Sequence, residues 1–250
     1  MKCVYSGQLL LSLTALGLWA QPQQPAPEFD VISIKANKSA GTGGSTRSGR
    51  GLYRATNVTV KSIVMNAFDL LPDQLVGAPS WVESERFDIE AKSDNPEAMD
   101  LKLRSMLATR FEFRMHRETR EWQSYVLVAG KKGAKLTPTS LKEGMSARDS
   151  NGHWEGTGLD IDNFARNLAH QLGRPVVNQT GIEGRYDITL DFEPDGPART
   201  GDKDNPIAGV DTRRPSLFTA IQDQLGLKLE SRKTPVEVLV VDHIGRPSEN

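Results

Sequence analysis

The chain has 250 residues, 37% of them apolar and 25% charged, with 22 Gly, 14 Pro and a single Cys. Its 31 Lys and Arg stand against 32 Asp and Glu, a formal net charge of -1. These values exclude a collagen-like or disulfide-stapled protein and argue against wholesale disorder. They also leave no chain-wide basic field to attract nucleic acid or an anionic membrane surface.

Residues 1–20 read as an address. Lys2 precedes an apolar run from Leu9 to Ala20, and a polar, Pro-rich stretch from Gln21 to Pro27 follows. A positive start, a short apolar segment and a small residue at the cut make a secretory signal peptide. The run is shorter than the roughly 20 residues that span a bilayer. Cleavage after Ala20 removes Cys3, the only cysteine. The mature chain is then expected to lack a disulfide, a thiolate nucleophile and a Cys-type zinc site. No later apolar run reaches membrane length, so the expected product is exported to the periplasm or beyond, with no transmembrane segment.

After the leader, one supersecondary unit recurs. Tyr53, Thr56, Val58, Val60 and Ile63 match Trp154, Thr157, Leu159, Ile161 and Phe164, each 101 positions later. The spacing then shortens by two, setting Arg86-Phe87-Asp88-Ile89 over Arg185-Tyr186-Asp187-Ile188. Beyond an insertion, Leu103, Leu107, Phe111, Phe113, Met115, Trp122 and Tyr125 match residues 114 positions later, Leu217 through Leu239. Each copy predicts the same order of elements. Ile63, Val64, Ala67 and Phe68 form one apolar helical stripe. Thr59 is the expected N-cap, with Asp160 in the matching place, and Pro72 and Gly173 are the expected stops. Strands are predicted at Arg86–Ala91 and Arg185–Phe192, and second helices at Pro96–Thr109 and Pro215–Gln224. Each unit is expected to end in a hairpin, turning at Glu118–Arg120 in one copy and Ser231–Pro235 in the other. Edge strands are expected at Val31–Ala36 and His153–Thr157.

Three stretches lack this order: Ser39 to Gly51, Thr137 to Gly152 and Glu193 to Arg214. Their Gly, Ser, Thr and Pro content predicts loops. The expected organisation is therefore a signal peptide at 1–20, a first lobe at 21–136, a linker at 137–152, and a second lobe at 153–250 with a loop insertion at 193–214. The fold class is α+β: two similar lobes from an internal duplication, each a small, mostly antiparallel sheet with two helices on one face.

Chemistry is sparse. None of His116, His153, His170 and His243 stands at metal-ligand spacing from another, and a surface role is expected for His116 and His170. Gly44-Ser45-Thr46-Arg47-Ser48-Gly49 is neither a nucleophile elbow nor a phosphate loop, and a hairpin loop accounts for its glycines. Asp160 and Asp162 suit a helix N-terminus, and Asp202 and Asp204 fall in the insertion. Arg86/Asp88 and Arg185/Asp187 are charged residues that recur in matched places, expected to pair across strands. Arg110, Arg114, Arg117, Arg120, Lys131 and Lys132 interleave with Glu112, Glu118 and Glu121, which predicts a solvated charged face. No catalytic, cofactor-binding or metal-ligating residue is assigned, and no cofactor is expected.

Phe29-Asp30-Val31-Ile32-Ser33-Ile34-Lys35, Gly77-Ala78-Pro79-Ser80-Trp81, Arg86 to Lys92 and Gly181 to Ile188 together resemble a family of paralogous exported proteins. That family is known chiefly from soil acidobacteria and carries a domain-of-unknown-function label. The resemblance implies a relation to extracellular domains fused to antibiotic-sensor-type membrane metallopeptidases, without their peptidase motif. The second copy also resembles the short N-terminal domain of secretins and TonB-dependent receptors, which implies a signalling or docking module. The function expected is an exported binding or interaction module whose partner is an envelope protein or a small ligand. A hydrolase with a site assembled between the lobes, and a structural envelope component, are the alternatives.

Overall fold

The computed structural model describes residues 26–39, 41, 43–193 and 214–247. The signal peptide and the Asp202/Asp204 pair lie outside them. In the first half, strands β1 (Val31–Ala36), β2 (Ser45–Gly49) and β3 (Leu52–Thr59) lead into helix α1 (Val60–Phe68). Then come β4 (Leu75–Val76), the short helix α2 (Trp81–Ser84), β5 (Arg86–Lys92), α3 (Met99–Arg110) and the long strand β6 (Arg114–Ala129). Among the described residues the second half repeats the series without a counterpart of α2. Its elements are β7 (Thr137–Pro138), β8 (Ser146–Ser150), β9 (His153–Leu159), α4 (Ile161–Leu172), β10 (Val176–Asn178), β11 (Tyr186–Asp191), α5 (Leu217–Leu225) and β12 (Leu227–His243). The α+β class is the one predicted.

Local chemistry explains most boundaries. Thr59 Oγ1 accepts the Ser62 N–H at 3.2 Å, and Asp160 Oδ1 accepts the Asn163 N–H at 2.7 Å, so both predicted N-caps are made. Gly173 ends α4 with φ 60, but α1 ends earlier than Pro72, at Asp69 with φ 53. Pro72 instead opens a single 3-10 turn to Gln74. Helix α3 begins at Met99, three residues after Pro96.

Two of the three predicted loops need correction, and the third, the insertion at 193–214, lies almost wholly outside the described residues. Ser39–Gly51 contains β2, and the linker at 137–152 contains β7 and β8. Every residue of β2 and β8 is exposed, so neither carries an apolar pattern to read. Their hairpin loops are the matched pairs Arg50-Gly51 and Asn151-Gly152, all four with positive φ, as two-residue hairpins require. His153–Thr157 is likewise no edge strand, because β9 lies between β11 and β8.

The outer sheets have the orders β1-β5-β3-β2 and β7-β11-β9-β8, element for element the same. One continuous core joins the first outer sheet to α1, α3 and Leu239, with Met115 and Val241 packed against it. A second joins the other outer sheet to α4, α5, Leu127 and Leu229. Residues 115, 127, 229, 239 and 241 all belong to a third sheet, β10-β6-β12-β4.

That central sheet overturns both predicted hairpins. Glu118–Arg120 and Ser231–Pro235 are not turns; β6 and β12 each run straight through them and pair with one another along their length. Each long strand leaves its own core midway, and there the apolar alternation stops, which imitates a loop. Pro235 is tolerated because Glu237, two residues on, points its carbonyl away from β6 to accept from Gln74 Nε2 at 2.9 Å. By strand alternation Pro235 also turns its nitrogen away from β6, so no ladder bond is lost.

The register discloses the symmetry. Glu121 lies opposite Pro235, its own counterpart 114 positions on, so a pseudo-twofold axis passes between them. Val176 of β10 sits beside Tyr125 of β6, and Leu75 of β4 beside Leu239 of β12, both parallel. Residues 75 and 176, and 125 and 239, are equivalent pairs. Each half therefore lends its short strand to the long strand of the other.

Candidate binding cleft

The recurring Arg and Asp residues have a common task, and it is structural. Beta strand β3 bulges at Asn57 (φ 55) and β9 at the equivalent Gly158 (φ 67). Asp88 Oδ1 accepts the Asn57 N–H at 2.8 Å, and Asp187 Oδ1 accepts the Gly158 N–H at 2.9 Å. Arg86 donates to the Asn57 carbonyl at 2.8 Å, and Arg185 to that of Gly158 at 2.9 Å. Each pair thus satisfies both backbone groups that the bulge removes from the ladder. It does not act across strands as a simple ion pair.

The histidines are likewise engaged. His116 lies between Asp242 (2.7 Å) and Glu118 (3.0 Å), and His153 between Asp191 (2.7 Å) and Glu155 (3.1 Å). Glu118 and Asp242 hold His116 above its usual pKa, and Asp191 and Glu155 do the same for His153. A carboxylate on each ring nitrogen leaves no lone pair for a metal. Among the described residues no three His, Cys, Asp or Glu side chains converge as a metal site. The predicted charged face is present only in part: Arg117 pairs with Glu237, and Arg120 with Glu118 at 2.7 Å, whereas Lys131 and Lys132 lie apart, beyond the far end of β6. His243 pairs with Glu112 at 3.4 Å.

What brings polar groups together is the pseudo-twofold axis. The two cores cover the two ends of one face of the central sheet, and its middle is left as a valley. There Glu121, Pro235 and Glu237 are exposed. The valley is a cleft of about 380 Å³ between α4, β10, the turn at Pro72–Gln74 and Asp69, floored by Pro235 and Glu237. Across it, Asp69 meets His170 Nε2 at 2.9 Å and Arg166 Nε at 3.2 Å. Asp69 and His170 are equivalent positions. At an axis, like residues would face their own copies, and the opposed chemistry of these two lets them bond instead. Along the same wall, Asn178 Nδ2 donates to Asp162 Oδ1 at 2.8 Å.

Residues 162, 166 and 170 follow helical i, i+4, i+8 spacing, so one side of α4 lines the cleft. Its other side, Phe164 and Leu168, is buried in the second core. The amphipathic spacing was legible; the identity of the facing half was not, since nothing in a sequence reveals which copy β10 joins. Among the described residues, only one edge of β10 carries a neighbouring strand. No serine, threonine or cysteine among the described residues lines the cleft. Its arginine, imidazole, amide and carboxylate groups can offer a ligand hydrogen bonds of both polarities.

No helix among the described residues is long and apolar enough to cross a membrane. No curated protein and no solved structure matches the chain. The stretch from the first turn of α1 to the end of β12, which holds the cleft and the swapped strands, coincides with a family match at residues 61–244. By that match the chain belongs to the family described as protein of unknown function (DUF3738).

Proposed function

We propose that this is an exported binding module that holds its partner in the cleft on the pseudo-twofold axis. The observation that carries the reading is the cleft itself, a valley of paired donors and acceptors beside the open edge of β10. A partner's extended segment can add to such an edge through main-chain hydrogen bonds, while Arg166, His170 and Asp162 select its side chains. Export rests on the leader at 1–20. The resemblance to docking domains of secretins and TonB-dependent receptors agrees with a partner in the cell envelope, and no catalytic step is assigned.

Two experiments test the reading. Removing residues 1–20 should trap the protein in the cytoplasm, and unchanged export would refute the assigned address. A photo-crosslinking residue in place of Asn178, in the exported full-length protein, should give a discrete adduct in the native envelope. The same probe in place of Arg148 on β8 should not. Equal labelling at both positions, or at neither, would reject the cleft as the binding surface.

A further inference from the structure

A larger concavity lies where β6 ends and β12 begins, away from the axis. It is an open basin of about 710 Å³ whose lining includes Lys131, Lys132, Lys135 and Lys228 against a single acidic residue, Asp223. Its construction is tight. Lys131 and Lys132 occupy the centre of a turn closed by the Gly133 N–H on the Gly130 carbonyl at 3.0 Å. The Gly130 N–H donates to the Gly226 carbonyl at 2.8 Å, and the Lys135 N–H to the Leu225 carbonyl at 2.8 Å. A Cβ on Gly226 would lie 2.2 Å from the Gly133 carbonyl oxygen, so turn and helix end are pressed together.

The negative end of the α5 dipole explains one of these lysines. Lys135 Nζ donates to the Asp223 carbonyl in the last turn, at 2.9 Å. Lys228 is partly neutralised by Glu230 at 3.1 Å. Lys131 and Lys132 have no carboxylate partner among the described residues. The other half supplies the control. The residue matching Lys132 is Arg246, which is bound to both oxygens of Glu85 at 2.7–3.0 Å and lies over Trp81 at 5.0 Å. The fold accommodates a neutralised cation at this position, so an uncompensated pair is not a demand of packing.

We propose that the basin binds a phosphate-type anion, with Lys131 and Lys132 as its principal contacts. The lysines act as point charges on an anchored turn, and the cavity has the size of an ordinary ligand site. The anion is either free, as a polyphosphate, or the headgroup of an anionic lipid. The mature full-length protein is titrated with sodium pyrophosphate by calorimetry and sedimented with vesicles of 30% phosphatidylglycerol in phosphatidylcholine. Binding to either probe should weaken by about tenfold in a Lys131→Glu/Lys132→Glu double variant, and less in Lys132→Gln. It should fall with added salt and persist in Lys38→Glu, a charge reversal elsewhere on the surface. Pyrophosphate binding alone assigns a free anion, and vesicle binding alone a headgroup. Binding to neither probe, or equal loss in Lys38→Glu, overturns the proposal.

Discussion

The two bulges pose one problem and solve it with different side chains. In the first half, Asn57 occupies the left-handed position itself, and its Nδ2 donates to the Gly41 and Gly43 carbonyls at 2.7 and 2.8 Å. In the second half that position is Gly158, with no side chain to spare. There Arg185 reaches past the bulge to the carbonyls of Lys142 (3.1 Å) and Gly144. The positions being held, Gly41 and Gly43 in one half and Lys142 and Gly144 in the other, are equivalent. Asp88 and Asp187 are retained in both halves because the bulge N–H needs an acceptor wherever the chain bends. The loop anchor has been moved from one residue to another. Backbone demand is thus the constant of this fold, and the side chain that meets it is negotiable.

The strongest way to break the equivalence of the halves is to test whether they melt apart. Phe111 and Leu225 are matched and buried, 0% and 4% exposed. Truncation to Ala should cost about 3–5 kcal/mol at Phe111 and about 2–5 kcal/mol at Leu225. Because β6 and β12 form one ladder, Phe111→Ala should also lower the urea midpoint reported by Trp154 in the other half. Separate transitions from Trp81 and Trp154 in single-tryptophan proteins would show that the shared sheet does not couple the cores.

Next in size are the bulges. Asp88→Ala and Asp187→Ala should each cost about 1–3 kcal/mol by stranding a backbone N–H. The first should cost more, since Asp88 also accepts from Asn37 Nδ2 at 2.7 Å. Transplanting the anchor should fail: in Gly158→Asn the new Cβ would lie 2.9 Å from the Gly144 carbonyl oxygen. A thermal midpoint equal to that of the parent would contradict this account.

The axial contact is smaller. His170→Ala should cost at most about 1 kcal/mol, because Asp69 and His170 are both about half exposed. Smallest is the pH response of two histidines flanked by carboxylates, His116 on β6 of the central sheet and His153 on β9 of an outer one. His116 and His153 titrate above the usual 6.5. Their protonated forms are favoured on folding, so this contribution is complete below 6.5 and fades as pH rises through the raised values. A His116→Gln/His153→Gln protein should show a flatter midpoint against pH above 6.5, and NMR titration should place both rings above that value.

The repeat was legible in apolar spacing, and its three offsets reappear in the strand register. The Arg/Asp signature was also visible, but its role needed the bulge, which no residue pattern announces. What stayed hidden was pairing between copies. The centre of β6, Arg117 to Gln123, carries charge because it crosses open space between two cores, and it therefore reads as a turn. Lys102 misleads in the opposite sense. It reads as a surface lysine, yet it is 2% exposed, with Nζ donating to Ser93 Oγ at 2.9 Å and to the Asn95 carbonyl. Of the cleft, the α4 stripe could be foreseen, but its opposite wall could not.

The exchange of short strands has a consequence for how the chain must assemble. Beta strand β6 meets β10 over three residues but finds its full-length mate in β12, about a hundred residues later, and β4 waits longer still. Pairings so distant in sequence delay closure, which places folding toward the millisecond-to-second end of single-domain behaviour. During that interval the earlier ribbon stands with bare amide edges, and its mid-strand charges, Arg117, Arg120 and Glu121, are the natural guard against clumping with a neighbouring copy.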